Sequence, residues 1–277
     1  MIISNNEGGL SNRIKSLVSC IRIAKKNNID HKVYWPILDS YKYKSHILNC
    51  GFSNLFKNEV EIEDISNIEK KYIFNSHCLY IDDIDNLPKN FNNFKSNCAI
   101  RFSKHDKYDR NIDFMYNKIP LDLREEYIKY FNELKPIEEL QKEINNFSKK
   151  FDNNTISVHI RSWNRKNEIG RRDYLYNIGK FEKEMEKYDN TYNFYIASDS
   201  QEVLDYFQKS KKFSKRILIY PRKTDLDTSR DFQEGVQEDL IELYLLSKNK
   251  IIIGSHFSTY TEVSWWLSSC TENIIIL

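Results

Sequence analysis

The sequence predicts an α/β protein built from two Rossmann-like domains that face a cleft. The first observation is at the N-terminus, where a strand, a polar loop, a helix and a second strand follow one another as in the first unit of an α/β layer. The second is a polar stretch at 148–154, and the third is the regular alternation of strands and helices after it. Such alternation implies a parallel sheet with right-handed crossovers. We therefore expect one domain over residues 1–147 and another over residues 155–277.

The first half begins with a short apolar strand over residues 1–3. A helix is expected next, because apolar residues recur at three- and four-residue steps from Leu10 to Ala24 and two asparagines at 27–28 end the pattern. A second strand is expected at 32–35, directly before Pro36. Further strands are predicted at 71–74, 78–81 and 98–102, and helices at 122–134 and 137–147.

The second half is expected to alternate strictly. Strands are predicted at 155–160, 192–197, 216–220, 250–253 and 273–277, and helices at 179–188, 200–210, 235–248 and 258–268. Ligands of such sheets bind beyond the carboxyl ends of the strands. The residues that directly follow each strand are therefore the candidates for a functional site.

Composition argues against several classes of protein. The chain has only 7 Gly and 5 Pro, so it is neither collagen-like nor a Gly- or Pro-rich linker. With 42 basic and 40 acidic residues the net charge is +2, which argues against a nucleic-acid partner. The five widely spaced cysteines fit reduced thiols better than disulfides or a zinc site. We expect no membrane span and no secretory signal, and hence a cytoplasmic protein.

The first candidate site is the segment EGGLSNR at 7–13, between the first strand and its helix. Gly8 and Gly9 let the backbone approach a ligand and present amides at a helix N-terminus, which suits an anion. Asn12 and Arg13 add hydrogen-bond donors, and Glu7 adds a possible base. A tight turn capped by a side chain of the first helical turn explains the same pattern equally well. The segment is neither GxGxxG nor a Walker A motif, which argues against a dinucleotide oxidoreductase and a P-loop NTPase.

The second candidate is VHIRS at 158–162, at the end of a predicted strand. Arg161 would emerge at the carboxyl end, where a guanidinium can bind phosphate oxygens in a bidentate manner. The alternative for Arg161 is a buried ion pair with Asp199, and the alternative for His159 is a satisfied core histidine. Asp199 follows the next strand, where it could also cap the helix after it.

The third candidate is the segment GSHFSTYTE at 254–262, which joins a strand to the last helix. Hydroxyl groups after a glycine turn at a helix N-terminus again suit an anion, and there are more of them than capping requires. Glu242, in the preceding helix, could accept the N–H groups of a guanine edge, as acidic side chains accept donors from bases. The candidate ligand-binding residues in the segment itself are His256, Phe257, Ser258 and Thr259.

Together these segments resemble the fucosyltransferase superfamily, which includes the α-1,6-, α-1,2- and protein O-fucosyltransferases. The resemblance rests on GGLSNR near the start, VHIRS and FYIASDS in the second half, and EDLIELYLLSKNKIIIGSHFSTYTEV near the end. The order and spacing of the motifs in the second half are its specific part. The first half beyond residue 35 carries none of it.

The resemblance implies a GT-B architecture and an inverting, metal-independent transfer of fucose from GDP-fucose to a glycan hydroxyl, without a cofactor. Arg161 would contact the donor β-phosphate and stabilise the leaving GDP. Glu7 would be the base that deprotonates the acceptor. The further donor contacts that it implies are guanine contacts by His159 and Glu242, hydroxyl contacts near the diphosphate by Ser258 and Thr259, and the acid Asp199.

One departure concerns the second arginine of the HxRR pattern that the α-1,6 and α-1,2 branches carry. Ser162 stands at that position, so the identity of the donor sugar is open. A transferase for another nucleotide sugar, or a non-catalytic module that binds a nucleotide or sugar phosphate, is therefore the alternative function. Arg165, Arg171 or Arg172, which follow in the chain, could supply the missing positive charge. Glu168 or Asp173 could act as the base instead of Glu7.

Overall fold

The computed structural model describes residues 2–5, 8–28, 30–37, 48–62, 79–80, 100–101, 121–163 and 176–277. The chain begins with strand β1 (Ile2–Asn5), helix α1 (Leu10–Asn27) and strand β2 (His31–Tyr34), and β1 and β2 pair in parallel. This is the β-α-β unit that the sequence predicts. The helix ends where Asn28 adopts a left-handed conformation with φ of 51°, as asparagine does at helix C-termini.

The rest of the first half contributes two short strands and two helices. Strands β3 (Leu79–Tyr80) and β4 (Ile100–Arg101) pair in parallel, within the predicted ranges, while the strand predicted at 71–74 lies outside the described residues. Helices α2 (Leu121–Glu133) and α3 (Glu138–Ser148) are as predicted to within a few residues. Both pack on the second half: Phe131 stacks on Trp266 at 5.5 Å, and Phe147 contacts Tyr195 at 5.7 Å.

The second half is a five-stranded parallel sheet of β5 (Thr155–Ile160), β6 (Asn193–Ser198), β7 (Ile217–Leu218), β8 (Ile251–Gly254) and β9 (Asn273–Ile276). Its strand order is β7-β6-β5-β8-β9. This is the strand order of a doubly wound Rossmann fold, in which the chain first adds strands on one side of β5 and then crosses to the other side at β8. Ligands of such sheets bind at this switch point, beyond the carboxyl ends of the two strands. The helices of this half are α4 (Ile178–Met185), α5 (Gln201–Lys209), α6 (Gln233–Leu246) and α7 (Thr259–Leu267).

The two faces of the sheet bury different kinds of residue. On the face covered by α4 and α5, β5 contributes Ile156, Val158 and Ile160, all fully buried in an apolar cluster. On the face covered by α6 and α7, the same strand contributes Thr155, Ser157 and His159, which are buried as well. Alternate side chains of a strand point to opposite faces, so β5 carries a polar row under α6 and α7 that leads towards the switch point.

The α/β class and the parallel sheet are confirmed, whereas two domains that face a cleft remain a prediction. The boundary at 148–154 also stays a prediction, because one apolar cluster takes residues from both sides of it: Leu17 and Phe131 before, and Leu243 and Trp266 after. In the ranges that the structure describes, no helix is long and apolar enough to cross a membrane.

Candidate functional site

The switch point brings two of the three candidate segments together. His159 of β5 lies opposite Gly254 of β8, and the amide of Ser255 donates to the carbonyl of His159 at 3.1 Å. One step further, the amide of Arg161 donates to the hydroxyl of Ser255 at 2.8 Å. The segment after β5 and the segment after β8 are therefore hydrogen-bonded to each other at the edge of the sheet where ligands bind.

Arg161 and Asp199 form an ion pair at this edge. Nη1 of Arg161 lies 2.6 Å from Oδ2 of Asp199, and the amide of Ser162 donates to Oδ1 of the same carboxylate at 2.6 Å. The two side chains are 13% and 16% exposed. The structure therefore contains the ion pair that the sequence offers as one alternative for Arg161. Asp199 fixes Arg161, and the N-cap residue of α5 is Ser200. A guanidinium has five N–H donors in a planar fork, so an ion pair through Nη1 is compatible with a phosphate contact as well.

His159 is a core histidine. It is 4% exposed, its Nδ1 lies 2.7 Å from Oγ1 of Thr261, and its ring stacks on Tyr260 at 4.9 Å. Burial lowers the pKa of His159 to about 3, and the charge of Arg161 lowers it further while that of Asp199 raises it. The imidazole is therefore neutral at neutral pH, and it packs beneath the site.

Gly254 is required by packing. A Cβ at this position would lie 2.1 Å from Cγ2 of Thr261, closer than any real contact. The sequence pattern alone indicates that this glycine is part of an anion-binding turn. Its close contact with α7 shows a second reason for it, because only a glycine lets Thr261 reach the ring of His159.

The loop between β8 and α7 carries the other hydroxyl groups. The amide of His256 donates to the carbonyl of Leu277 at 2.8 Å, and Phe257 is left-handed with φ of 57°. Ser258 is the N-cap residue of α7, and its side chain makes no capping hydrogen bond. Capping therefore does not account for the hydroxyls of Ser258 and Thr259, which lie at a helix N-terminus next to the switch point.

The Gly8–Gly9 turn is held from inside by Arg13. The Arg13 side chain is fully buried, and it donates to the carbonyls of Gly8 at 2.9 Å and Pro36 at 2.8 Å. Its guanidinium also lies over the ring of Trp35 at 5.1 Å. Arg13 therefore shapes the turn and does not project from it. Glu7, the expected base, lies outside the described residues.

Gly8 and Gly9 form the turn that leads into the N-terminus of α1. Gly8 has φ of 99°, a conformation that only glycine adopts readily, and Gly9 is the N-cap residue of α1. Gly9 has no side chain to cap the helix, and the hydroxyl of Ser11 is buried without a hydrogen bond to any described residue, so Ser11 does not act as a cap. Asn12 is half-buried and packs beside Gly8, since a Cβ on Gly8 would lie 3.6 Å from the Asn12 amide nitrogen.

Arg230 is a site residue that sequence reasoning missed. It precedes α6 in a short 3-10 turn (Ser229–Asp231), and a Cβ on Gly9 would lie only 3.3 Å from Nη2 of Arg230. An arginine of the second half thus lies against the glycine turn of the first half. Nothing in the local sequence indicates this, because Arg230 follows no strand and the contact is purely tertiary.

Glu242 belongs to a buried acidic cluster around Arg222. Arg222 pairs with Oε2 of Glu242, and its Nη2 lies 2.9 Å from Asp239. Glu238 accepts the amides of Lys223 and Thr224 at 2.6 and 3.1 Å. Burial raises the pKa of Glu242 to about 7, although the charge of Arg222 lowers it. Arg222 was also missed, but it follows β7 closely, so the rule of strand ends could have found it.

One oxygen of Glu242 has no hydrogen-bond partner among the described residues. Its Oε1 is buried and makes no hydrogen bond within the part of the chain that the structure describes. A buried acceptor without a donor costs on the order of 1–3 kcal/mol. The carboxylate is thus half-satisfied by Arg222 and retains one oxygen that could accept a hydrogen bond.

A buried ion pair joins the two helices whose N-termini form the candidate anion sites. Lys15 of α1 pairs with Glu262 of α7, and both side chains are fully buried. Lys15 is five residues from the start of α1 and Glu262 three from the start of α7, which is about 7.5 and 4.5 Å along each axis at 1.5 Å per residue. The two N-termini therefore lie within about two turns of a common point.

Metal ligands are not assembled in these elements. Within the described residues, no group of three or more His, Cys, Asp or Glu side chains lies close enough together to hold a metal ion.

No protein-family model and no curated protein matches this sequence. Among solved structures, NodZ α-1,6-fucosyltransferase soaked with GDP-fucose is similar with a TM-score of 0.57 and 16% identity, over 96% of this chain and 91% of that chain. A mutant of FUT1 from Arabidopsis thaliana in complex with GDP is similar with a TM-score of 0.54 and 13% identity, over 100% of this chain and 69% of that chain. POFUT1 in complex with GDP-fucose is similar with a TM-score of 0.54 and 10% identity, over 100% of this chain and 97% of that chain.

Similarity at these identities shows a shared fold. The match extends over nearly the whole chain, including the first half, where the sequence motifs end at residue 35. The chain therefore has the fold of these fucosyltransferases, and the resemblance that its motifs carry is confirmed at the level of the fold.

Proposed function

We propose that this protein is a glycosyltransferase that transfers fucose from GDP-fucose to a hydroxyl group of a glycan. The observation that carries the proposal is the position of Arg161: at the switch point of the sheet, fixed by Asp199 and hydrogen-bonded to the loop after β8. The fold supports it, because solved proteins of this fold are fucosyltransferases with GDP or GDP-fucose bound.

The chemistry assigned to Arg161 is stabilisation of the leaving group. In the transfer, the bond between the fucose C1 and the β-phosphate oxygen breaks, and GDP leaves with the electron pair. The acceptor oxygen forms the new bond to C1 from the opposite face, with inversion, and its proton passes to a base. A guanidinium fixed beside the β-phosphate stabilises the charge that develops there, without a metal ion.

The base is assigned only as a proposal from the sequence. Glu7 is the first candidate, since it precedes the Gly8–Gly9 turn, and Glu168 and Asp173 are the alternatives. All three lie outside the described residues. Among described residues, Asp199 already accepts from Arg161 and Ser162, and we do not assign it this step.

The donor contacts divide into two groups. We propose that the diphosphate binds the amides at the N-termini of α1 and α7 together with the hydroxyls of Ser258 and Thr259. We propose Glu242, whose Oε1 is buried without a hydrogen-bond partner among the described residues, as the acceptor for the N–H groups of a guanine edge. Arg13 and His159 support these contacts from the protein interior. The cytoplasm remains our proposed location.

The test is a binding and transfer assay. GDP and GDP-fucose should raise the melting temperature in the presence of EDTA, through ligand linkage, and GDP-fucose should be slowly hydrolysed or its fucose transferred. Arg161→Ala should lower turnover about 10²–10³-fold, as the loss of a charge-stabilising donor does. The matched control is Lys215→Ala, which removes an exposed cation elsewhere. Unchanged turnover in Arg161→Ala, or no binding of GDP, would refute the proposal.

One observation favours a second candidate, a binding module without transferase activity. Ser162 stands where the HxRR branches carry their second arginine, and because a serine side chain is uncharged, position 162 contributes no cation to the site. GDP binding without hydrolysis or transfer of any GDP-sugar, by a protein whose Arg161→Ala variant loses GDP affinity, would support this second function.

A further inference from the structure

Trp163 has a backbone conformation that calls for an explanation. Its φ is 55°, in the left-handed region, directly after the β5 strand end that carries Arg161. For a bulky L-residue this conformation costs roughly 1–2 kcal/mol, and such residues concentrate at functional sites. Some interaction of Trp163 must offset the cost.

The left-handed turn places the indole against Arg161. The Cζ atom of Arg161 lies 5.1 Å from the centroid of the Trp163 ring, within the range of a cation–π contact. Trp163 is only 5% exposed, so the contact is largely shielded from water. Such contacts are worth about 2 kcal/mol or more when desolvated, which is enough to offset the backbone cost.

Among the described residues, three groups hold different parts of Arg161. Asp199 holds Nη1, Ser255 holds the backbone amide, and Trp163 holds the face of the guanidinium. An ion pair alone leaves the guanidinium free to rotate about its bond to the carboxylate. A ring packed against the flat face removes that freedom and fixes the plane in which the N–H donors point.

We propose that Trp163 is a positioning residue that fixes the plane of the Arg161 guanidinium for the donor phosphate, an inference that rests on the proposed function. Ser162 is uncharged, so among the described residues that directly follow β5, 161–163, Arg161 is the cation. A single cation stabilises a leaving phosphate best when its orientation is set before the reaction. Trp163 does so at the expense of an unfavourable backbone conformation.

The inference is tested by a double-mutant cycle on GDP affinity, with Arg161→Ala as the second change. Trp163→Leu, which keeps apolar bulk without a π face, should weaken GDP binding about tenfold in the wild-type background. It should weaken binding less than about twofold in Arg161→Ala, because the residue that it positions is gone. Trp163→Phe, which restores a ring, should recover most of the affinity.

The control separates positioning from stability. Trp265→Leu removes a fully buried indole from α7, and it should lower the melting temperature by a similar or larger amount. Its effect on GDP affinity, if any, should be equal in the two backgrounds. Melting temperatures of all variants show that each is folded at the assay temperature. If Trp163→Leu is not folded, Trp163→Met, which also lacks a π face, takes its place in the cycle.

The outcomes distinguish this inference from the proposed function. If the wild-type protein does not bind GDP, both are refuted. If it binds GDP but Trp163→Leu has no effect, or has the same effect with and without Arg161, the positioning role is refuted while the proposed function stands. The positioning role of Trp163 is supported if Trp163→Leu lowers the GDP affinity only when Arg161 is present and Trp163→Phe restores it.

Discussion

Lys15 and Glu262 form a fully buried ion pair that joins α1, from the first half of the chain, to α7, from the second. Glu262 also lies 3.4 Å from the indole nitrogen of Trp266, which in turn stacks on Phe131 of α2. The pair therefore stands in the middle of the packing between the two halves. Since each helix begins at a candidate anion site, the pair also sets the separation of the Gly8–Gly9 turn from the loop after β8.

We expect Lys15→Met to destabilise the protein strongly. The change leaves the Glu262 carboxylate buried without its partner, which typically costs about 3–5 kcal/mol. The double variant Lys15→Met/Glu262→Gln removes both charges and should recover a large part of that loss. Urea denaturation of the single and double variants measures both effects. A single variant as stable as the wild type would show that the pair is not buried as described.

Gly254→Ala should be similarly damaging, because the new Cβ would lie 2.1 Å from Cγ2 of Thr261 and must displace α7. Adding Thr261→Ser removes the clashing methyl group and should restore part of the stability. Gly51→Ala is the control: a Cβ there meets its nearest neighbour, the Asn54 amide, at an ordinary 3.5 Å, and φ is −69°. Thermal unfolding should rank Gly51→Ala near the wild type and Gly254→Ala far below both.

The sequence predicts the second half of the fold more fully than the first. Strand β5 is predicted with its observed bounds, and the other long strands are placed to within a residue, because short apolar runs alternate with amphipathic segments. Because ligands bind beyond the carboxyl ends of parallel strands, the residues that follow predicted strands then include Arg161 and Asp199. They do not include Arg230, whose place beside Gly9 depends on how the two halves pack.

The sequence also does not predict the direction in which a polar side chain of the site points. Periodicity places Arg13, His159 and Glu242 near the site, but it does not say whether a polar side chain faces a ligand or the interior. All three are buried, and their partners are a loop carbonyl, a helix hydroxyl and an arginine from other elements. Because such partners come from remote parts of the chain, only the tertiary structure identifies them.

The stability of the protein should fall at acid pH in part through His159. Burial lowers its pKa in the folded state to about 3, from 6.5 when unfolded, so between these values the unfolded chain binds the proton and the folded protein does not. Stability is therefore full above pH 6.5 and is lost as the pH falls towards 3, by about 5 kcal/mol in all.

The measurement for His159 is the free energy of unfolding at pH 4 and pH 7, for the wild type and His159→Asn. The variant should lose less stability between the two pH values than the wild type. His31, whose pKa burial lowers to about 4, contributes in the same direction, so His31→Asn is the matched comparison. Equal losses in the wild type and His159→Asn would contradict the expectation.

Glu242 should act in the opposite direction. Burial raises its pKa to about 7, from 4.5 when unfolded, so between these values the folded protein holds a proton that the unfolded chain has released. This contribution to stability is full below pH 4.5 and is lost as the pH rises through 7, by about 3 kcal/mol. Glu242→Gln should therefore gain stability relative to the wild type from pH 4.5 to pH 8. A constant difference between the two proteins across that range would show that Glu242 does not titrate there.

Arg230→Ala tests whether the second half contributes a cation to the glycine turn. The guanidinium lies 3.3 Å from the position of a Gly9 Cβ, so a phosphate on the α1 N-terminus would be close to it. We expect the variant to bind GDP about tenfold more weakly, as the loss of one charge-assisted contact does, and to bind guanosine as the wild type does. Lys223→Ala, an exposed cation near the acidic cluster, should leave both affinities unchanged. Equal weakening of GDP and guanosine would mean that Arg230 supports the fold and does not contact the phosphates.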